Sequence, residues 1–87
     1  MSADAEMPRY RCHKEVWALK IKAIEKRDYG REATITPEEP GYAPFDVDAA
    51  YLAKHDPQVG GYFVVYPPDG YRSFSPAKVF EDGYTRI

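Results

Sequence analysis

The sequence predicts an α+β fold: a small antiparallel sheet of about four strands, arranged as two hairpins, with two short helices in the order β-β-α-β-β-α. Three observations carry that expectation. From Gly60 to Gly83 the run GGYFVVYPPDGYRSFSPAKVFEDG reads in turn as strand, tight turn, strand and helix. Between His13 and Lys26 apolar and polar residues alternate with a period of two, the pattern of a strand with two unlike faces. Asp48 opens and Asp56-Pro57 closes a run, Ala49 to His55, with the chemistry of a helix start and stop.

Met1 to Pro8 is small and acidic and is expected to be a disordered tail, which leaves 9–87 as a single domain. In the first strand Trp17, Leu19, Ile21 and Ala23 share one face, and Val16, Ala18, Lys20, Lys22 and Ile24 the other. Asp28-Tyr29-Gly30 is a turn. Ala33 to Thr36 forms the second strand, halted by Pro37, and pairs with the first as a hairpin. The segment Pro37 to Pro44, PEEPGYAP, is a rigid surface loop, with Phe45 and Val47 anchoring its far end in the core. In the helix behind Asp48, Tyr51 and Leu52 face inward, while Lys54 and His55 lie in the last turn, where positive charge suits the macrodipole. Tyr62 to Tyr66 is wholly aromatic and β-branched, and Pro67-Pro68-Asp69-Gly70 turns the chain back into Tyr71 to Phe74. That turn admits a bulge, so whether Tyr71 or Arg72 lies beside Tyr66 stays open. Ser75-Pro76 supplies a cap and a first helical position for Ala77 to Asp82, with Gly83 as the C-cap.

Composition narrows the function by exclusion. Cys12 is the single cysteine, which rules out a disulfide framework within the chain and any multi-cysteine metal site. No apolar run approaches the ~18 residues of a membrane span, and the first residues lack a signal-peptide core, so a cytoplasmic protein is expected. A net charge of −2 argues against general nucleic-acid binding. The charge is unevenly spread, however: Pro8 to Arg31 holds eight basic and three acidic residues, and Glu32 to Asp56 six acidic and one basic. A basic strip followed by an acidic one suits either an anionic ligand or self-association.

The search for catalytic groups returns little. Cys12 and His13 are adjacent in a strand, so their side chains point to opposite faces and do not meet as nucleophile and base. Cys12, His13, His55 and Asp56 match no metal-ligand spacing. Asp46 and Asp48 form a carboxylate pair, but helix capping accounts for Asp48. No phosphate-binding fingerprint is present. The expectation is a protein that is not an enzyme and uses neither metal nor cofactor.

The surface of the sheet is more informative. Trp17, Leu19 and Ile21 should meet Phe63, Val65, Phe74, Val79 and Phe80 in one core, leaving Val16, Ala18, Lys20 and Lys22 near Tyr62, Val64 and Tyr66 on the other face. Two short helices on one face would leave that second face uncovered, which predicts a homo-oligomer with a groove of tyrosines and lysines between protomers. A sheet curled into a small barrel would bury the same residues instead, and the pattern leaves both open.

Several segments together bear a resemblance. They are Tyr10-Arg11-Cys12-His13-Lys14-Glu15-Val16, Gly60-Gly61-Tyr62-Phe63-Val64-Val65-Tyr66, Asp69-Gly70, Ser75-Pro76 and Phe80-Glu81-Asp82-Gly83-Tyr84. In layout, from about Arg9 to Arg86, the chain resembles small phage and prophage proteins with a basic opening strand, a Gly-Asp-Tyr strand and hairpin, and a C-terminal Phe-Glu-x-x-Tyr helix. Gly61 stands where those proteins carry an acidic residue, and Cys12-His13 interrupts the basic opening. The resemblance implies phage origin, no enzymatic activity and action by binding. It leads to a noncatalytic accessory protein, a host-defence antagonist that sequesters an anionic small molecule such as a nucleotide signal. The residues expected to hold that ligand are Arg9, Arg11, Lys20, Lys22, Tyr62, Tyr66, Tyr71 and Arg72, cations for phosphate and tyrosines for a base. The alternative is an inhibitor that occludes a host protein through the acidic strip and the Pro-rich loop from Glu38 to Asp48.

Overall fold

A 13-residue strand, β2 (Glu15–Arg27), is the spine of the computed structural model, which describes residues 7–11 and 15–86. Around it lie β1 (Arg9–Arg11), β3 (Glu32–Pro37), β4 (Phe45–Val47), β5 (Tyr62–Tyr66), β6 (Tyr71–Ser75) and β7 (Thr85–Arg86), with helices α1 (Ala49–His55) and α2 (Ala77–Gly83). Set aside the three shortest strands, and the observed order is the expected β-β-α-β-β-α. Every pairing is antiparallel: β1 and β3 with β2, β7 with β1, β4 with β3, β5 with β2, and β6 with β5.

The spine serves two edges. Ala18 N–H donates to the Pro8 carbonyl and Lys20 C=O accepts from Glu38 N–H, so β1 and β3 follow one another along one edge. Ile21 instead exchanges bonds with Gly60 and Gly61, on the β5 edge. Between Ile21 and Ala23 the β2–β3 register shifts by one residue. This bulge at Lys22 corrects the expected faces, because one extra residue reverses the in-out parity beyond it. Ala23, expected beside Ile21, is exposed, and Ile24 packs against the core that contains Leu19 and Ile21.

Two apolar clusters result, one on each face of the sheet. The first joins Leu19, Ile21, Ala33, Ile35, Val47, Tyr51, Phe63 and Val65, with Trp17 and Phe74 packed against it. The second joins Val16, Ala18, Tyr62, Val64 and Phe80. Helix α1 covers the first through Tyr51, and α2 covers the second through Phe80. Phe80 therefore does not share a core with Phe63. Val79, a third of a turn away, is 65% exposed. The second face, expected to need another copy of the chain, is covered by this chain's own helix.

Local chemistry accounts for the ends of the elements. The Asp48 carboxylate accepts the Tyr51 backbone N–H at 2.9 Å, and Asp56, with φ 42°, ends α1 in the left-handed region. The hairpin turn spans 67–70 and contains a cis Pro67-Pro68 peptide. Gly70, at φ 78°, donates its N–H to the Tyr66 carbonyl. Tyr71, not Arg72, stands opposite Tyr66, without a bulge. At α2 the expected cap is corrected: Pro76 occupies the cap position in an extended conformation, and no side chain caps the helix. Gly83 is the last helical residue rather than the C-cap.

Met7, placed in the tail by the sequence expectation, is buried in the first cluster. Cys12 and His13, considered above as nucleophile and base, lie outside the described residues.

Candidate functional site

The expected ligand residues divide between the two faces rather than lining one groove. On the second face, Lys20 Nζ donates to Glu81 Oε2 at 2.9 Å and the Tyr62 hydroxyl donates to the same oxygen at 2.8 Å. The Tyr62 ring stacks on Phe80 at 4.2 Å, and Phe80 on Tyr84 at 4.5 Å. This arrangement fastens α2 to the sheet: stacked rings bury the apolar contact, and one carboxylate gathers the two donors beside it. Arg86 Nη1 reaches Glu39 at 3.0 Å nearby, around a hollow of about 330 Å³ that Lys20 and Tyr62 also line. Lys22 is exposed at the bulge. Arg9 lies over the Trp17 ring at 5.4 Å and reaches Glu15 at 3.4 Å. Arg11 belongs to β1, and its side chain is outside the described residues.

Hydrogen bonds from Lys20 and then Tyr62 hold the Glu81 carboxyl below its usual pKa, although it is half exposed. A depressed carboxylate pKa stabilises the fold above the unfolded group's pKa, and that contribution is lost as pH falls through the folded value. Wild-type stability should therefore decline below the ordinary carboxylate range, and Glu81→Gln should flatten part of that decline. Denaturant melts of both proteins from pH 7 down to the acid limit measure this. Parallel pH curves would remove the role of Glu81.

Tyr71 and Arg72 do come together with new partners. They line an open cleft of about 650 Å³ between α1, β4 and the β5–β6 hairpin, with Lys54, His55, Asp46 and Glu32. Its carboxylates are already engaged. Asp46 Oδ1 accepts from Thr34 at 2.8 Å and pairs with Arg27 at 3.0 Å, Glu32 meets Arg27 at 3.5 Å, and Asp48 caps α1. The cations lie on rings instead: Lys54 Nζ is 5.0 Å from the centre of Tyr71, and the Arg72 guanidinium 5.8 Å from that of Phe63. Among the described residues neither has a carboxylate partner. Burial, and then the Lys54 charge, lowers the pKa of His55, so its imidazole is neutral at neutral pH. Tyr51 donates its hydroxyl to the Ser73 carbonyl at 2.7 Å, and burial raises its pKa far above the usual phenol range. The cleft thus sets two cations and an aromatic ring beside carboxylates that are engaged within the chain. Tyr66 packs against the second cluster and is the cross-strand partner of Tyr71, with ring centres 6.2 Å apart; the two line a separate open hollow of about 600 Å³ at the hairpin turn.

Sequence reasoning missed Lys54 and His55 as cleft residues. Their place in the last turn of α1 is legible, but their meeting with Tyr71, sixteen or more positions away, is not.

The chain matches no family model and no curated protein. A solved structure resembles it well: the monomeric form of the phage L decoration protein, determined by NMR, with a TM-score of 0.69 and 31% sequence identity over 91% of this chain. The likeness is to a phage protein. The chain spans 58% of that protein's length. The match agrees with the phage affinity implied by the sequence motifs, and it speaks for neither a nucleotide ligand nor a host target.

Proposed function

We propose that this chain is a noncatalytic phage binding protein that docks on the protein shell of a phage particle, in the manner of a decoration protein. The observation that carries this reading is the shared fold and 31% identity with the phage L decoration protein over nearly the whole chain. Shell assembly would place the protein in the cytoplasm of the bacterial host. The test is co-sedimentation with empty shells from the phage that encodes the chain, with stripped phage L shells as a second target. Saturable pelleting, at a fixed number of copies per shell and micromolar affinity or tighter, is the expected result. Failure to pellet with either shell would remove the reading.

A second reading rests on the cleft. Lys54 and Arg72, on rings and without carboxylate partners among the described residues, suit a phosphate or carboxylate, and Tyr71 offers a surface for a base. This keeps the sequestration of an anionic nucleotide signal as a function. Calorimetric titration with a panel of nucleotides should then give saturable binding that Arg72→Ala weakens about tenfold or more, and a flat response across the panel would dismiss it. Occlusion of a host protein by the acidic strip is less favoured, because Glu32, Glu39, Asp46 and Asp48 are engaged within the chain.

A further inference from the structure

We infer that the tip of the β2–β3 hairpin is a docking finger anchored by Tyr29, and that it fits a narrow apolar slot on a folded protein surface. It rests on the shell-docking reading above, in which that surface is the phage shell. Three successive residues at the tip have positive φ: Asp28 at 51°, Tyr29 at 58° and Gly30 at 83°. Glycine adopts this region freely and aspartate tolerates it. In a tyrosine the Cβ crowds the following carbonyl, so Tyr29 carries the cost. Tyr29 is also fully exposed, at 100%, and among the described residues neither its ring nor its hydroxyl has a partner. It opposes the fold's stability and returns no burial to it. A residue of that kind makes physical sense through a contact outside the chain.

The tip is held firmly for such a contact. The ladder runs up to the Arg27–Glu32 pair, and Arg31 N–H closes on the Asp28 carbonyl at 3.1 Å. Arg27 is tied to Glu32 and to Asp46 across β3 and β4. A preformed finger loses little conformational freedom on docking, and a tyrosine brings large contact area on few rotatable bonds. Around Tyr29 the charges are of mixed sign, Lys26 and Arg31 against Glu25 and Asp28. Nothing there steers a polyanion, so a folded protein surface suits the tip better than nucleic acid does.

Two substitutions test the inference in the co-sedimentation assay. Tyr29→Asn accepts the left-handed conformation and removes the ring. It should weaken shell binding about 30-fold or more, with a melting temperature unchanged or raised by a few degrees. Tyr29→Phe keeps the ring and should bind within about threefold of wild type. Asn-variant binding equal to wild type, on shells that wild type binds, would overturn the finger and leave the shell-docking reading standing. A fall in melting temperature of more than about 5 °C would also overturn it, since Tyr29 would then serve the fold. If wild type binds no shell, both readings fall together.

Discussion

Replacing Phe80 with alanine is expected to lower the free energy of unfolding by about 3–5 kcal/mol, whereas Val79→Ala should change it by less than about 0.5 kcal/mol. Both residues belong to α2, one position apart, and both look like core residues in the sequence. Phe80 is 1% exposed, stacked between Tyr62 and Tyr84, and is the main apolar contact of α2 with the second face. Removing its ring leaves a void that a seven-residue helix cannot easily collapse to fill, and strips cover from Val16, Ala18 and Val64. Val79 already faces water. Urea titrations with a shared slope provide the comparison. Equal losses for the two variants would mean that α2 presents a different side to the sheet.

Gly61→Ala should cost about 1–3 kcal/mol through overpacking. A Cβ at Gly61 would run into the edge of the Phe74 ring and lie 2.9 Å from the Ser75 carbonyl oxygen. The ring is packed against the first cluster and the carbonyl is backbone, so neither retreats readily. In a Phe74→Ala background, the penalty of Gly61→Ala should shrink to what the Ser75 carbonyl imposes. A double-mutant cycle measures the difference. Additive effects, with no coupling between the two positions, would show that the ring is not the obstacle.

Much of the fold can be read along the chain because its causes are local. The two-residue alternation of Val16 to Ile21, the Pro-Pro-Asp-Gly turn and the Asp48 cap each involve residues within a few positions of one another. The bulge at Lys22 escapes such reading: it is set by how β3 and β5 share the two edges of β2, and nothing in Lys-Ile-Lys-Ala announces it. The alternation was therefore right up to Ile21 and inverted beyond it.

The candidate sites divide in the same way. Tyr71 and Arg72 stand out as aromatic and cationic neighbours in a hairpin strand, and the cleft does contain both. Lys20 and Tyr62 stand out equally, yet the structure places them around Glu81, fastening α2 to the sheet. Residue type shows what a side chain can bind; only its neighbours show whether it is already bound. Tyr29 reads as an ordinary turn residue, since neither its positive φ nor its full exposure is written in the letters Asp-Tyr-Gly.

Strands, turns and the first helix cap followed from short-range chemistry: backbone geometry, steric preference and single hydrogen bonds between near neighbours. The side of the sheet that each helix covers followed from contacts between residues tens of positions apart, such as Tyr51 with Ser73 and Lys20 with Glu81. Apolar burial has no preferred direction along the chain, so a pattern of apolar residues demands cover without naming which segment supplies it. Packing in three dimensions made that choice, putting α1 over one face and α2 over the other, and so closed the surface on which an oligomer had been expected.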